Sequence, residues 1–178
     1  MKPAKSAADR RRSRTLKRLP KLSLAVAASC HLILAARATT GAGSDHPHVG
    51  PLLDAAWARA QVAVVVADAG YDSEANHERA RDRAGVASVI PPTIGRPTDK
   101  APTGPHRAAM RERFDAAAAA AADGDDTYGQ RWQVETVNSM LKRNLGSACR
   151  ATTARRRSYE LLLRCITHNI MVLEGTEP

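Results

Sequence analysis

A chain of 178 residues is long enough to bury the core of one domain, and 43% of its residues are hydrophobic, which is an ordinary share. Aromatic residues make up 3%, so the core has to be built from Ala, Val, Leu and Ile. The formal net charge of +9 indicates a polyanionic partner. No stretch approaches the roughly 18 apolar residues that a membrane-spanning helix needs.

The positive charge is concentrated in two blocks. Residues 1–21 hold nine Lys or Arg and a single acid, Asp9, and residues 142–164 hold seven Lys or Arg and a single acid, Glu160. The segment between them has eleven basic and fourteen acidic residues. Because residues 1–20 show neither a helical nor a strand period, we expect a flexible basic arm there, which is either a solvated tail or a nucleic-acid contact.

Three cysteines have neither paired spacing nor a metal-ligand pattern, namely Cys30, Cys149 and Cys165. Their number and spacing fit a reducing cytoplasm, and we expect them to be small core or surface residues. The apolar run at 22–36 after a basic stretch resembles a secretory signal. Ser29 and His31 interrupt that run, and a pair of strands explains it better.

The first predicted elements are a β-hairpin and a helix. Residues 21–39 contain two apolar runs with partial alternation, which favour a hairpin closed by Gly41 and Gly43. A helix beginning near Asp45 or Pro47 would cover one face of the sheet. Its apolar residues are Val49, Leu52, Leu53, Ala56 and Trp57.

The next predicted element is a strand that ends at an acid. Residues 61–67 are short, β-branched and nearly continuously apolar, as in a strand buried on both faces. Asp68 follows at once, where α/β sheets place ligands, although Asp is also a common turn former. Asp72 or Ser73 then caps a helix to about residue 84, and residues 86–90 form another strand.

The second half of the chain is predicted to be helical after a loop. Residues 92–126 read as a Pro- and Gly-rich loop and an Ala-rich helix at 108–122, which we expect to be a peripheral insert. A last helix at 158–173 is apolar around much of its circumference, so we expect it to be largely buried. His168 within it is more readily explained as a hydrogen-bonded helix residue than as a catalytic one.

The segment at 128–142 carries the chemistry. At about 100° per residue a helix there places four polar side chains on one face, Tyr128, Arg131, Glu135 and Lys142, and apolar residues on the other, Val134, Val137, Leu141 and Leu145. An acid between two cations is also what a simple salt-bridge ladder looks like, for example in a basic structural protein that binds RNA or ribosomes.

Two motifs favour a functional interpretation of this segment over a simple salt-bridge ladder. The spacing Tyr-x2-Arg-x3-Glu-x6-Lys resembles the signature of insertion-sequence DDE transposases, the group related to insertion sequences four and five. The segment Asp-Ala-Gly-Tyr-Asp at 68–72 resembles the second acidic motif of that family. The resemblance covers roughly residues 20–173. It implies an α/β fold of the ribonuclease-H-like kind, a mixed sheet flanked by helices, with residues 1–20 as an arm and 21–178 as a partial catalytic domain.

The resemblance also implies a reaction and a site. Such enzymes cleave phosphodiester bonds and transfer strands with two Mg²⁺ or Mn²⁺ ions, which favour hard oxygen ligands. It implies Asp68 and Glu135 as the catalytic metal ligands. The expected partner is DNA, at the insertion-sequence ends and the target, held by basic and hydroxyl side chains of the motif and the following block: Tyr128, Arg131, Lys142, Arg143 and Arg150.

The sequence departs from the family pattern at its first acid. The first catalytic Asp of the family lies on a central strand just before the hairpin, and Asp9, the single acid upstream, has no apolar run before it. We therefore expect a truncated transposase that lacks its central strand and is inactive alone. The alternative is a noncatalytic DNA-binding remnant that joins full-length transposase. Either protein would be cytoplasmic, on the bacterial nucleoid, and could form a homo-oligomer.

Overall fold

The computed structural model describes residues 19–41, 46–83, 85–93, 104–119 and 127–175, which form a mixed α/β structure. The predicted basic arm, Asp9 and the acidic turn at 123–126 lie outside these ranges. The strands are β1 (Pro20–Val26), β2 (Ile33–Thr40), β3 (Val64–Val66) and β4 (Ala87–Val89). The helices are α1 (Val49–Trp57), α2 (Glu74–Glu78), α3 (Pro105–Ala119), α4 (Trp132–Leu145) and α5 (Ala154–Leu173).

The predicted hairpin is confirmed. Strands β1 and β2 pair antiparallel, from Pro20 opposite Thr40 to Val26 opposite Ile33, with an irregularity at Ala25 and Val26. The turn between them holds His31 in a left-handed conformation, with φ at 59°. A left-handed backbone is uncommon for a residue with a Cβ, so the surrounding contacts have to hold it.

Three helices bury the apolar side chains of the hairpin in two clusters. One cluster is formed with α1, as predicted, and includes Ala35, Leu52 and Ala56. The other joins the hairpin to α4 and α5 and includes Ile33, Val137, Leu141 and Cys165. The core is therefore aliphatic, as the low aromatic content required.

The second sheet differs from the prediction for residues 61–67. Strand β3 is three residues long and pairs in parallel with β4, Val64 opposite Ala87 and Val66 opposite Val89. Within the described ranges β3 has one strand neighbour, and Val64 is 41% exposed. The prediction of a strand buried on both faces is therefore wrong, because one edge and part of one face of β3 are uncovered.

The helix predicted at 128–142 begins later than its pattern suggested. Residues Gly129–Arg131 form a tight 3₁₀ turn, and α4 starts at Trp132. Val137 and Leu141 are buried as predicted, and Gly146, with φ at 90°, ends the helix. The polar residues of the motif thus come from a turn and a helix rather than from one helix.

Helix α5 is more exposed than its composition predicted. Cys165 and His168 are buried against the hairpin and α4. The opposite side carries exposed apolar side chains, among them Leu163 and Ile170. The prediction of a largely buried helix is wrong, because the described elements cover one side of α5 and leave the other to solvent.

Helix α5 is attached to the hairpin turn by polar side chains that replace a strand neighbour. The Asn169 carboxamide accepts from the backbone N–H of Ile33 at 2.8 Å and donates to its carbonyl at 2.9 Å. The His168 Nε2 donates to the carbonyl of His31 at 3.0 Å. His168 is therefore a hydrogen-bonded helix residue, as expected. We call this group of contacts the Asn169 clasp.

Across the described portion of the chain, no helix has the length and apolar character required to traverse a bilayer.

We predict that Asn169→Ala lowers the free energy of unfolding by about 2 to 4 kcal/mol, because it leaves an N–H and a C=O of nearly buried Ile33 without partners. Urea unfolding followed by circular dichroism measures this loss. Asn144→Ala, at an exposed position of α4, is the matched control and should stay within about 0.5 kcal/mol of the parent. Equal losses in both variants would contradict a structural role for the clasp.

Candidate functional site

Asp68 lies two residues after the end of β3 and caps the turn Ala69–Tyr71. One of its carboxylate oxygens accepts from the Ala69 N–H at 2.8 Å, and the residue is exposed. Asp68 is thus a turn former, which was the simpler of the two interpretations of its position. Its second carboxylate oxygen is the one that remains for a ligand.

Arg131 and Glu135 form an ion pair one helical turn apart. The Arg131 Nη1 donates to the Glu135 Oε1 at 2.5 Å, and the Glu135 side chain is 60% exposed. The structure therefore contains the i,i+4 pair that the simple salt-bridge interpretation predicted. Such exposed pairs contribute about 0.3 to 0.5 kcal/mol, so stability does not explain the choice of residues.

Glu135 dominates the electrostatics of Arg131. The hydrogen bond to Glu135 is the main cause that raises the pKa of Arg131, and burial opposes it. The charges of Glu135, Tyr128 and Asp68 add smaller increases, and that of Asp68 is the smallest. Asp68 therefore acts weakly on the guanidinium to which Glu135 is bonded directly.

Tyr128 lies against the same guanidinium. The Arg131 Cζ is 5.9 Å from the centre of the Tyr128 ring, and Phe114 of α3 meets that ring edge-on at 5.3 Å. A cation over an aromatic face and an edge-to-face ring pair are both favourable. Tyr128 therefore orients Arg131 and joins α3 to α4.

The three remaining basic candidates lie further along the chain. Lys142 and Arg143 are exposed in the last turn of α4, where cations also complement the helix dipole. Arg150 is exposed in the connection to α5, and its backbone N–H donates to Glu160 at 3.0 Å. These three cations lie beyond the turn of α4 that carries Glu135, along the end of the helix and the connection that follows it.

The second acid of the motif at 68–72 is held more firmly than the first. The Asp72 side chain is 2% exposed and receives two hydrogen bonds from Arg107, at 2.8 and 2.7 Å, and one from the Thr93 N–H at 3.0 Å. Burial acts to raise the pKa of Asp72, but the bonds from Arg107 and Thr93 outweigh it and hold the pKa below its usual value. Thr93 also donates through its hydroxyl to the Ala69 carbonyl, so the turn after Asp68 is fixed from both ends.

A buried histidine, His77, lies beside the Asp72 carboxylate. His77 is fully buried, and burial lowers its pKa. Its Nδ1 forms a hydrogen bond with the Ser88 hydroxyl at 2.8 Å, and that hydroxyl also accepts from the Arg81 Nε at 2.7 Å. Among the described residues the Nε2 atom has no hydrogen-bond partner, and it faces the Asp72 Oδ1 at 3.9 Å.

The sequence had suggested that α3 is a peripheral insert. In the structure α3 instead takes part in the network around Asp72. Its first backbone N–H groups, those of His106 and Arg107, donate to the Glu74 carboxylate at 2.9 and 3.0 Å. A Cβ on Gly104 would overlap the Glu74 side chain, so this close approach requires glycine. Nothing in the sequence pattern singled out Arg107 or His77. The Ala-rich run at 108–122 did predict a helix here, but it did not indicate what that helix contacts.

Among the described residues, no three histidine, cysteine, aspartate or glutamate side chains are grouped as a metal site requires. Asp68 and Glu135 supply hard carboxylate oxygens of the kind that Mg²⁺ and Mn²⁺ bind, so their chemistry fits such an ion. Two carboxylates near an arginine are an incomplete set, and a third ligand has to come from elsewhere.

The chain matches the family model described as the transposase DDE domain over residues 2–170. No curated protein and no solved structure matches it. Because the match spans nearly the whole chain, this protein belongs to the transposase DDE domain family, whose substrate is DNA and whose members generally use divalent metal ions.

The network around Asp72 predicts a dependence of stability on pH. Because the folded-state pKa of Asp72 is lowered, its contribution is present above pH 4 or so, its unfolded value, and is lost as pH falls through the folded value. The lowered pKa of His77 adds a separate loss that begins below about pH 6.5. Asp72→Asn should cost roughly 2 kcal/mol at pH 7 and make the loss below pH 4 smaller than in the parent.

Urea unfolding at pH values from 7 to 3 measures both losses. Asp54→Asn is the control, because Asp54 pairs with Arg79 in an exposed ion pair, and it should cost less than about 1 kcal/mol. A variant at Asp72 that follows the parent curve below pH 4 would rule out Asp72 as the source of the acid sensitivity.

Proposed function

We propose that this protein engages DNA phosphates during transposition through the surface formed by Asp68, Arg131 and Glu135, and that it is not a complete nuclease by itself. The observation that carries the proposal is the exposed Arg131–Glu135 pair with Tyr128 against its guanidinium, in a chain that matches the transposase DDE domain. The two acids are those expected from the family motifs, and they come from distant parts of the chain.

The two sheets support a ribonuclease-H-like arrangement. An antiparallel pair, β1 and β2, and a parallel pair, β3 and β4, are what such a sheet contains on either side of its first strand. We propose that the first strand belongs between β1 and β3, each of which has one neighbour within the described ranges. A strand paired with β3 at that edge would also cover part of the exposed Val64 side chain.

The site residues have separate roles in this proposal. Asp68 and Glu135 would hold the divalent ions, which, when bound, stabilise charge on the attacking and leaving oxygens of a phosphodiester. Arg131 binds a phosphate oxygen when it leaves Glu135, and Tyr128 keeps the guanidinium oriented. Asp72 positions Asp68 through the shared turn, because Thr93 bonds to both ends of it.

The exposed cations extend the contact with DNA. Lys142, Arg143 and Arg150 are exposed and lie in the basic block that follows the motif. Phosphate contacts of this kind give affinity without sequence preference and release counterions on binding. The block therefore provides salt-dependent binding to insertion-sequence ends and target DNA alike, in the cytoplasm and on the nucleoid.

A second candidate function is a noncatalytic DNA-binding protein that modulates full-length transposase. The specific observation in its favour is that the described residues do not assemble three metal ligands. Both candidates predict DNA binding, and they differ in whether the carboxylates have a chemical role.

We predict that Lys142→Gln with Arg143→Gln weakens DNA binding and reduces the slope of log K against log salt by about 2, because two phosphate contacts are lost. Fluorescence anisotropy with a labelled duplex at 50 to 200 mM salt measures this slope. The matched control is Arg37→Gln with Arg59→Gln, which removes the same charge from exposed positions on β2 and just after α1. Equal slopes for the two double variants would mean that net charge alone drives binding.

We predict that the purified chain nicks supercoiled DNA in Mg²⁺ or Mn²⁺ no faster than its Glu135→Gln variant does, since two carboxylates do not complete the metal site. Gel electrophoresis of plasmid DNA over several hours provides the measurement. Nicking by the parent that disappears in Glu135→Gln would overturn the assignment as an incomplete nuclease and favour full catalysis. Absence of both nicking and DNA binding would remove both candidates.

A further inference from the structure

Helix α5 carries an apolar stripe on the side that faces away from the hairpin. Its members are spaced alternately by four and three residues, and between 51% and 71% of each is exposed: Tyr159, Leu163, Ile166, Ile170 and Leu173. This alternation keeps all five on a narrow seam of the helix, as in the a and d positions of a coiled coil. The buried residues Cys165 and His168 lie on the opposite side.

The stripe is larger than the scattered apolar exposure of an ordinary surface. A large apolar side chain at this degree of exposure presents on the order of 100 Å², so five present about 500 Å². Two copies of the stripe would bury a total of about 1,000 Å², which is where specific interfaces begin. The area that two stripes would bury is therefore large enough for an interface between two copies of the same helix.

The charges at the two ends of α5 favour an antiparallel over a parallel arrangement of the two paired helices. Arg155 and Arg156 are exposed in the first turn, and Glu174 is exposed just after the last. In an antiparallel pair the basic end of each helix lies beside the acidic end of the other, and the helix dipoles also oppose each other favourably. A parallel pair would bring the arginines of the two copies together.

We propose that two copies of this chain associate through α5 in an antiparallel pair related by a twofold axis at Ile166. Tyr159 of each copy then lies near Leu173 of the other, and Leu163 lies near Ile170. The crossing angle would be near +20°, as for helices with this apolar period. The interface leaves Asp68, Arg131 and Glu135 outside it, so it does not depend on the proposed DNA chemistry.

Sedimentation of the full chain from about 1 to 100 μM tests the association. We expect a dimer, and Ile166→Lys should weaken it at least tenfold, because two lysines would meet on the axis. Leu19→Lys is the matched control, since Leu19 is another exposed large apolar residue, 49% exposed, outside α5. Circular dichroism of each variant shows that the fold is retained, because the substituted side chains are exposed in the monomer.

Charge reversal tests the direction of the pair. Arg156→Glu should weaken the dimer, and adding Glu174→Arg should restore it, because the opposite charges again face each other. A parallel pair would instead be tightened by Arg156→Glu alone. The proposal is overturned by a monomer throughout the concentration range, by a dimer that Ile166→Lys leaves intact, or by tightening in Arg156→Glu.

Discussion

The attachment of α5 to the hairpin turn is the contact on which the rest of this structure depends. Asn169 offers an amide donor and acceptor to both backbone groups of Ile33, as a neighbouring strand would. His168 holds the carbonyl of His31, and Gln133 of α4 holds its ring through a 2.5 Å bond to Nε2. Together they hold His31 in its left-handed conformation and bring α4, with Glu135, beside the hairpin.

The other half of the molecule is organised around Asp72. Its carboxylate draws together the turn after Asp68, the loop at Thr93 and the start of α3, three segments with little apolar surface of their own. Because the second sheet has two short strands, these polar contacts replace the packing that a wider sheet would provide. The same turn carries Asp68, so the network that stabilises this half also fixes the backbone on which that acid lies.

Two apolar surfaces of this structure are exposed because no other described element packs against them. Val64 on β3 and the stripe on α5 are both apolar surfaces that no described element covers. The surface at Val64 is suited to pairing with another strand, because β3 has one strand neighbour among the described residues. The stripe on α5 is suited to packing against another helix, because its apolar residues have the period of a coiled coil. A composition rich in Val, Leu and Ile predicts that such surfaces are buried, but it does not say which chain or segment buries them.

The sequence by itself determined the hairpin, α1, the turn at Asp68 that follows β3 and the apolar side of α4, because local periodicity and turn residues set these features. It also determined the family, through two short motifs and a match over residues 2–170. Only the tertiary structure decided that Arg107 and His77 support Asp72, that α3 belongs to the site, and that one side of α5 is open. Those features depend on contacts between residues that are far apart in the chain, and a local sequence pattern contains no information about such contacts.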